Sequence, residues 1–561
     1  MTWRTRRAVI IIMVLLALVA FGFAMRSEER VPTNSVFLLD VDGTIDEQRP
    51  FSLSASLSGN SVPVMHDYVD SIDAAAQDTR VRGMVVRIGP LDTGWAKLEE
   101  LRSHILGFRG SGKPSICYLG YDGIGNAEYH LASACDKVWM VPTAPLVVHG
   151  MLAEALFLRG TLDKLKIVPD FYHIAEYKTA TNTFTEKKFT PAHREEVQSL
   201  LGSVYEQYTS EVAQDRRIEP AQYDALVRQG PFLADEALKN HLVDRLAYWD
   251  EVQGFFRQRT GSWNPVELSR YRTSVSNEGN NRIAVIYATG TIVSGESSSS
   301  TTGAVLMGGD SVAADIRRVR QDASIKAIVL RVDSGGGSAL ASEVIRREVQ
   351  LARQEKPFVA SMSDVAASGG YWIAMDANKI VAEPDTITAS IGVITGKFNV
   401  SGLYALLGLS TDSVATSDNA TLFSDQQNFT TEQRAYIERS AREIYSGFIR
   451  GVAAGRNLPV EEVDRIGKGR VWSGAQAKQL HLVDELGDLD RAIAIAKDLS
   501  HIPADAPVHL VRLPQEKSLW ETIFGAGERE AGTGWSQILA SVRRINADPV
   551  QARVPFDLVI K

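Results

Sequence analysis

The chain has 561 residues, 44% of them hydrophobic and 23% charged. That composition suits a globular protein with ample core material and excludes a wholly disordered chain, a collagen-like repeat and a polytopic membrane protein. Sixty Lys and Arg against 68 Asp and Glu leave a net charge of −8, which argues against a nucleic-acid binder, and two cysteines cannot make a disulfide scaffold.

Arg4, Arg6 and Arg7 precede an uncharged apolar run from Ala8 to Met25. A membrane-spanning helix takes about 17–25 such residues, and the core of a signal peptide about 7–15. The run is therefore expected to be an uncleaved transmembrane anchor. The rival reading is a signal peptide cut near Gly22-Phe23-Ala24. The positive-inside rule keeps the arginines cytoplasmic and exports the remainder of the chain. Residues 1–30 are assigned to a basic stub and anchor, and in a bacterium the exported part belongs on the periplasmic face of the inner membrane. Cys117 and Cys135 could pair there. Both lie in apolar contexts, and buried free thiols are the expectation.

The rest of the chain repeats itself. Asp40–Ile45 resembles Tyr287–Ile292, and Val81–Ile88 resembles Ile325–Val332. Tyr129–Pro142 matches Tyr371–Pro384, Phe189-Thr190 matches Phe429-Thr430, and His241–Asp244 matches His481–Asp484. The offset drifts only between 240 and 247. The first copy is assigned to residues 33–270 and the second to 281–514. Gly261–Asn281 reads as the connection, and 515–561 as a polar tail with no counterpart in the first copy. Within the second copy, strands are expected at Ile283–Tyr287, Ala327–Val332 and Phe358–Met362, and helices at Ser311–Gln321, at Ala341–Gln354 and after Gly369. Such alternation predicts an α/β fold with a buried, largely parallel sheet. Gly295–Gly309, rich in Ser, Thr and Gly, reads as a loop.

Two segments of the second copy invite chemistry. Asp333-Ser334-Gly335-Gly336-Gly337-Ser338 follows a buried strand, and its glycines let backbone N–H groups face a cavity. It is neither a P-loop nor a dinucleotide fingerprint. Asp364-Val365-Ala366-Ala367-Ser368-Gly369-Gly370-Tyr371-Trp372 sets Ser368 between a strand and a helix, among residues with almost no side chain. A helix N-terminus there would favour developing negative charge. The simpler reading of each segment is structural: a strand-to-helix turn, and a serine N-cap. None of the ten histidines sits in a triad context, and no metal-binding motif occurs.

These motifs, with Thr388-Ala389-Ser390-Ile391-Gly392-Val393, resemble the signal peptide peptidase A (protease IV) family in its long, duplicated form. The resemblance covers nearly the whole chain. It implies that each copy has a Clp-protease- and crotonase-like fold. It also implies a Ser–Lys pair, with lysine from the first copy and serine from the second. Tyr177-Lys178-Thr179-Ala180 resembles the family's lysine motif, and the matching second-copy segment is Ser417-Asp418-Asn419-Ala420. Ser368 in turn falls on Asn126. Each copy therefore lacks what the other has. By the resemblance, Ser390 orients the amine (the first copy has Val148 there); the N–H groups of Gly336 and Gly369 are the oxyanion donors that the two glycine-bearing segments themselves suggest. One departure is Asp333-Ser334-Gly335-Gly336-Gly337, where the family usually has Asn-Ser-Pro-Gly-Gly.

The resemblance further implies a membrane-anchored serine endopeptidase that degrades remnant signal peptides and other apolar peptides, as a homotetramer and without a cofactor. On that reading Lys178 is buried, neutral and within reach of Ser368. An α/β-hydrolase-like esterase would instead pair Ser368 with His481, His501 or His509. The recurrence of His241 and His481 in both copies points to a structural role. A crotonase-like acyl-CoA enzyme would share the oxyanion hole but need no serine–lysine pair. A non-enzymatic scaffold would tolerate loss of both Ser368 and Lys178.

Overall fold

A computed structural model describes residues 31–49, 62–272, 279–299 and 305–515, and the backbone of 550–553 and 559–560. The expected anchor at residues 1–30 lies outside the described residues. Among those described, no helix is long and apolar enough to cross a membrane.

The repeat seen in the sequence is a repeat of sheets. In the first half, Ser35–Gly43, Val81–Leu91, Ser115–Leu119 and Lys137–Met140 pair in parallel as neighbours, with Arg245–Leu246 at one edge and Pro265–Glu267 at the other. In the second half, Asn281–Thr289, Ile325–Ser334, Phe358–Ala367 and Lys379–Ala382 take the same order, with edges Glu485–Leu486 and Val508–Leu513. The central strands are buried on both faces, which explains why they read as apolar runs rather than alternating ones. Helices cover the faces, as parallel crossovers require. Met65–Gln77 and Trp95–Gly110 pack together on the first sheet, and Gly309–Gln321 and Ala339–Glu355 on the second.

Three local expectations need correction. The Gly261–Asn281 connection contributes Pro265–Glu267 to the first sheet, because Val36–Leu38 offers it an unpaired edge. Gly295–Gly309 holds the Val305–Gly308 strand, paired in parallel with Thr291–Val293. Cys117 and Cys135 are disulfide-bonded rather than free. Lys137–Met140 pairs beside Ser115–Leu119, which brings the two Cα atoms within 5.7 Å. Both cysteines are buried, as their apolar contexts imply, but they face each other.

Two features join the halves. Val168–His173 of the first copy pairs antiparallel with Ile394–Asn399 of the second. Beneath the sheets, Arg331 is fully buried, and its guanidinium meets Glu47 at 2.8 Å and also Glu100. Both carboxylates come from the first copy. Lys97 reaches across to Asp333 at 2.7 Å and Asp364 at 3.2 Å. Removing one partner of a buried ion network strands the other charges. Arg331→Ala is expected to destabilise the protein by about 3–5 kcal/mol, measured by denaturant unfolding.

Candidate active site

Ser368 closes the Phe358–Ala367 strand and caps the Gly369–Ala374 helix. Its backbone stands at φ 57°, ψ −112°, a region that non-glycine residues rarely adopt. The turn is held by Ser368 N donating to Ala389 O at 2.7 Å and Trp372 N donating to Ser368 O at 2.8 Å. The small residues after it are a steric demand. A Cβ on Gly369 would lie 2.8 Å from Ser342 Oγ and 3.0 Å from Gly336 Cα, and one on Gly370 would lie 2.4 Å from Ser334 O.

Lys178 arrives from the other copy. It immediately precedes the short helical turn Thr179–Thr181 and is fully buried. Its Nζ donates to Ser368 Oγ at 2.7 Å, and to Ser390 O and Ser390 Oγ at 3.0 Å each. All three acceptors are uncharged. Burial lowers the Lys178 pKa to about 7, opposed by the nearby Glu196. Ser390 is itself left-handed at φ 51°, after Ala389 at φ 64°, and this kink turns its carbonyl and hydroxyl onto the amine.

The structure thus gathers Lys178, Ser368 and Ser390 at one point. Gly369 N–H opens the helix beside Ser368, where the first-turn amides have no intrahelical acceptor. Gly336 lies next to Gly369, at φ 93°, and its N–H donates to Ser334 Oγ at 3.1 Å. Ser334 Oγ in turn donates to Gly290 O at 2.6 Å, pinning a turn that has glycine where the resemblance expects proline.

Among the described residues the first copy has no such centre. Asn126 Nδ2 is spent on Gly150 O at 2.6 Å, and its backbone is not left-handed. Val148 offers no hydroxyl. Asp418, at the start of its own short turn, is exposed where Lys178 is buried. His241, His481 and His501 all adopt left-handed backbones just after helices, at φ 59°, 58° and 57°, and the His241 carbonyl accepts from Arg216. The group that meets Ser368 is an amine, not an imidazole.

Sequence reasoning missed the residues that seat the lysine. Glu196 is buried on the Pro191–Arg216 helix; it accepts from Thr179 Oγ1 at 3.1 Å and from Val471 N at 2.7 Å. It ties the lysine turn to the second copy, and burial pushes its carboxyl up to about 8. The Lys468-Gly469-Arg470 segment forms the other wall. Gly469 stands at φ 80°, and a Cβ there would lie 2.5 Å from Lys178 N. Arg470 sits between the rings of Tyr177 and Trp472. Only the proximity of Glu196 to the lysine motif hinted at any of this, and nothing in the sequence marks Gly469. Two carboxylate–histidine clusters lie elsewhere, Asp73–His104–Asp490 and Glu99–His130–Glu211. Both belong to ion-pair networks, the second with Arg102 inside it.

A strained serine against a buried amine, between two copies of one α/β unit, is the equipment of a hydrolase that works through a serine. Comparison with known proteins agrees. The sequence pattern of peptidase family S49 matches residues 108–261 and again 350–502. The chain is 33% identical to a protein named Serine protease SPPA, chloroplastic, from Arabidopsis thaliana, over 90% of this chain and 75% of that one. It is 33% identical to Protease 4 of Salmonella typhi, over 100% of this chain and 92% of that one. With Protease 4 of Haemophilus influenzae the identity is 30%, over 89% and 84%. A ClpP1 variant from Listeria monocytogenes aligns over 38% of this chain and 95% of its own, at 12% identity and a TM-score of 0.25, too low to argue from. The chain belongs to peptidase family S49, with the family domain present twice, and is a serine peptidase.

Gly469→Ala is expected to keep the fold, read by circular dichroism, and to lower kcat/KM by about 100-fold by displacing Lys178. Glu196→Gln keeps the size of the side chain and an acceptor for Val471 N, and should retain most activity, whereas Glu196→Ala should not.

Proposed function

We propose that the peptidase works by a Ser–Lys dyad assembled from both copies, with Ser368 as nucleophile and Lys178 as general base. The observation that carries this is the 2.7 Å contact of a fully buried amine with Ser368 Oγ. An ordinary lysine, near pKa 10.4, is almost wholly protonated at neutral pH and cannot take a proton. An amine held near 7 can. Lys178 takes the hydroxyl proton as Ser368 Oγ bonds to the peptide carbonyl carbon. The carbonyl oxygen becomes an oxyanion, met by the N–H of Gly369 and, once it leaves Ser334 Oγ, that of Gly336. The Lys178 ammonium then protonates the departing amine, the C–N bond breaks, and an acyl-enzyme remains. Water, deprotonated by Lys178, attacks the ester and releases Ser368. Ser390 keeps the amine aimed. No step calls for a cofactor or a metal.

Each copy is read as Clp-protease- and crotonase-like, on the family resemblance. The substrates are read as remnant signal peptides and other apolar peptides. The enzyme sits on the periplasmic side of the inner membrane, behind the Ala8–Met25 anchor, and the Cys117–Cys135 disulfide suits such an oxidising compartment. A homotetramer is supported by exposed apolar side chains in both halves. Leu152 and Leu156 are 57% and 76% exposed in the first, and Leu407 and Val414 are 63% and 101% exposed in the second. A head-to-tail contact between copies would cover them.

Ser368→Ala and Lys178→Ala are each expected to abolish cleavage of a fluorogenic apolar peptide, while His481→Ala stays active. Full activity in Lys178→Ala would overturn the dyad. The base must be unprotonated, so kcat/KM should rise with pH through about 7 and level off above it. An acid limb near pH 7 in a pH–rate profile is the check.

A further inference from the structure

A second buried lysine stands behind the active-site strands, and the mechanism makes no use of it. Lys97 lies in the first turn of the Trp95–Gly110 helix of the first copy and is 7% exposed. Its Nζ meets Asp333 at 2.7 Å and Asp364 at 3.2 Å, both in the second copy. Its backbone N–H donates to Asp364 Oδ1 at 3.0 Å. The helix has Gly94 at its N-cap and no side-chain cap of its own, so Asp364 caps it from the other copy. The fit is close: a Cβ on Gly94 would lie 2.2 Å from Asp364 Cγ.

The two carboxylates sit where the catalytic strands fall out of step. Val332 lies opposite Met362, but Ser334 lies opposite Ala366. The second strand therefore bulges through Ser363, Asp364 and Val365, just before the turn that carries Ser368. A bulge re-aims the chain that follows it. This one sets the serine turn against the glycine turn. Asp333 holds it by accepting from Val365 N at 3.2 Å, and Lys97 holds it by gripping Asp364. Gly335-Gly336-Gly337 brings no stiffness of its own to the other side. The first copy differs at each point. Counted from Val81 and Ile325, Gly89 stands where Asp333 does, and counted from Ser115 and Phe358, Tyr121 stands where Asp364 does. Counted from the helix starts Trp95 and Ala339, the second copy has Ala341 in place of Lys97. The clamp is built from both copies, on the strands that carry the serine.

The two buried lysines differ in their company. Lys178 meets uncharged acceptors, and burial lowers its pKa to about 7. Burial works against the charge on Lys97 too, but Asp364, Asp333 and Glu47 outweigh it and hold the amine above the ordinary lysine range. Lys97 is thus a fixed cation and not a base. We propose that Lys97 is a positioning residue for the peptidase reaction: by clamping Asp333 to Asp364 it fixes the glycine turn against the serine turn, and with it the Gly336 N–H that meets the oxyanion. This rests on the reading of Ser368 as nucleophile and of Gly336 and Gly369 as oxyanion donors. Those donors act on charge that develops only in the transition state, so loss of the clamp lowers kcat and leaves KM nearly alone.

The test uses the full chain and a fluorogenic apolar peptide. Lys97→Met is expected to lower kcat by about 100-fold, the cost of one misplaced oxyanion donor, with KM within about twofold of wild type. The acid limb of the pH–rate profile should stay near pH 7, because Lys178 is untouched. A merely structural role would loosen the docking of the copies instead, admit water to Lys178 and move that limb upward. Asp333→Asn keeps the shape of the side chain and an acceptor for Val365 N, and serves if Lys97→Met does not fold. It should lower kcat by about tenfold with the limb in place. The double variant should lose less than the product of the two single losses, because both act through one link. Wild-type kcat in folded Lys97→Met or in Asp333→Asn would overturn the proposal. So would a fall in kcat with the acid limb displaced upward. Failure of the dyad reading shows elsewhere, as full activity in Lys178→Ala.

Discussion

On the proposed mechanism, an amine must be kept out of water for this site to have its chemistry. Lys178 cannot be buried by its own copy, because the surfaces that enclose it, around Ser390, Gly392 and Gly469, belong to the other. The docking of the two copies is therefore what lowers the lysine's pKa. The Arg331–Glu47–Glu100 network, the Val168–His173 pairing with Ile394–Asn399, and Glu196 clasping Val471 all serve that docking. Loosening any of them would admit water, recharge the amine and silence the site without touching Ser368.

Two like units present like loops at like positions, and the two copies carry different residues there. Where the second copy has Ser368 the first has Asn126, whose amide bonds locally, and where the first has Lys178 the second has Asp418, which stands in solvent. Ser368, Ala389 and Ser390 all occupy left-handed backbone, whereas Asn126 has relaxed.

The walls of the active centre are polar backbone as much as side chain. Gly336 and Gly369 pack so closely that a Cβ on Gly369 would displace its neighbours. Beside them the backbone of Val550–Arg553 lies between Gly336–Ser338 and Ile394–Asn399, antiparallel to both.

Much of this was legible in the sequence. The repeat, the α/β class, the strands and helices of the second copy, and the complementary loss of Lys and Ser all follow from periodicity and from comparing one half with the other, because local residue pattern dictates local structure. The strand-to-helix turn among small residues singled out Ser368, and the family resemblance then added Lys178 and Ser390. What the sequence left open is what depends on contact between distant segments. The disulfide depends on two strands becoming neighbours. Gly469 and Glu196 matter only because the second copy closes over a loop of the first. The Val550–Arg553 strand, in a segment with no repeat to compare it with, is placed only by the two strands it pairs with. The sequence by itself determined which chemical groups exist and which elements carry them. The tertiary structure decided which groups meet, and that a lysine 190 residues from its serine is buried enough for its pKa to fall to about 7, because solvation belongs to the packed interface and not to the chain.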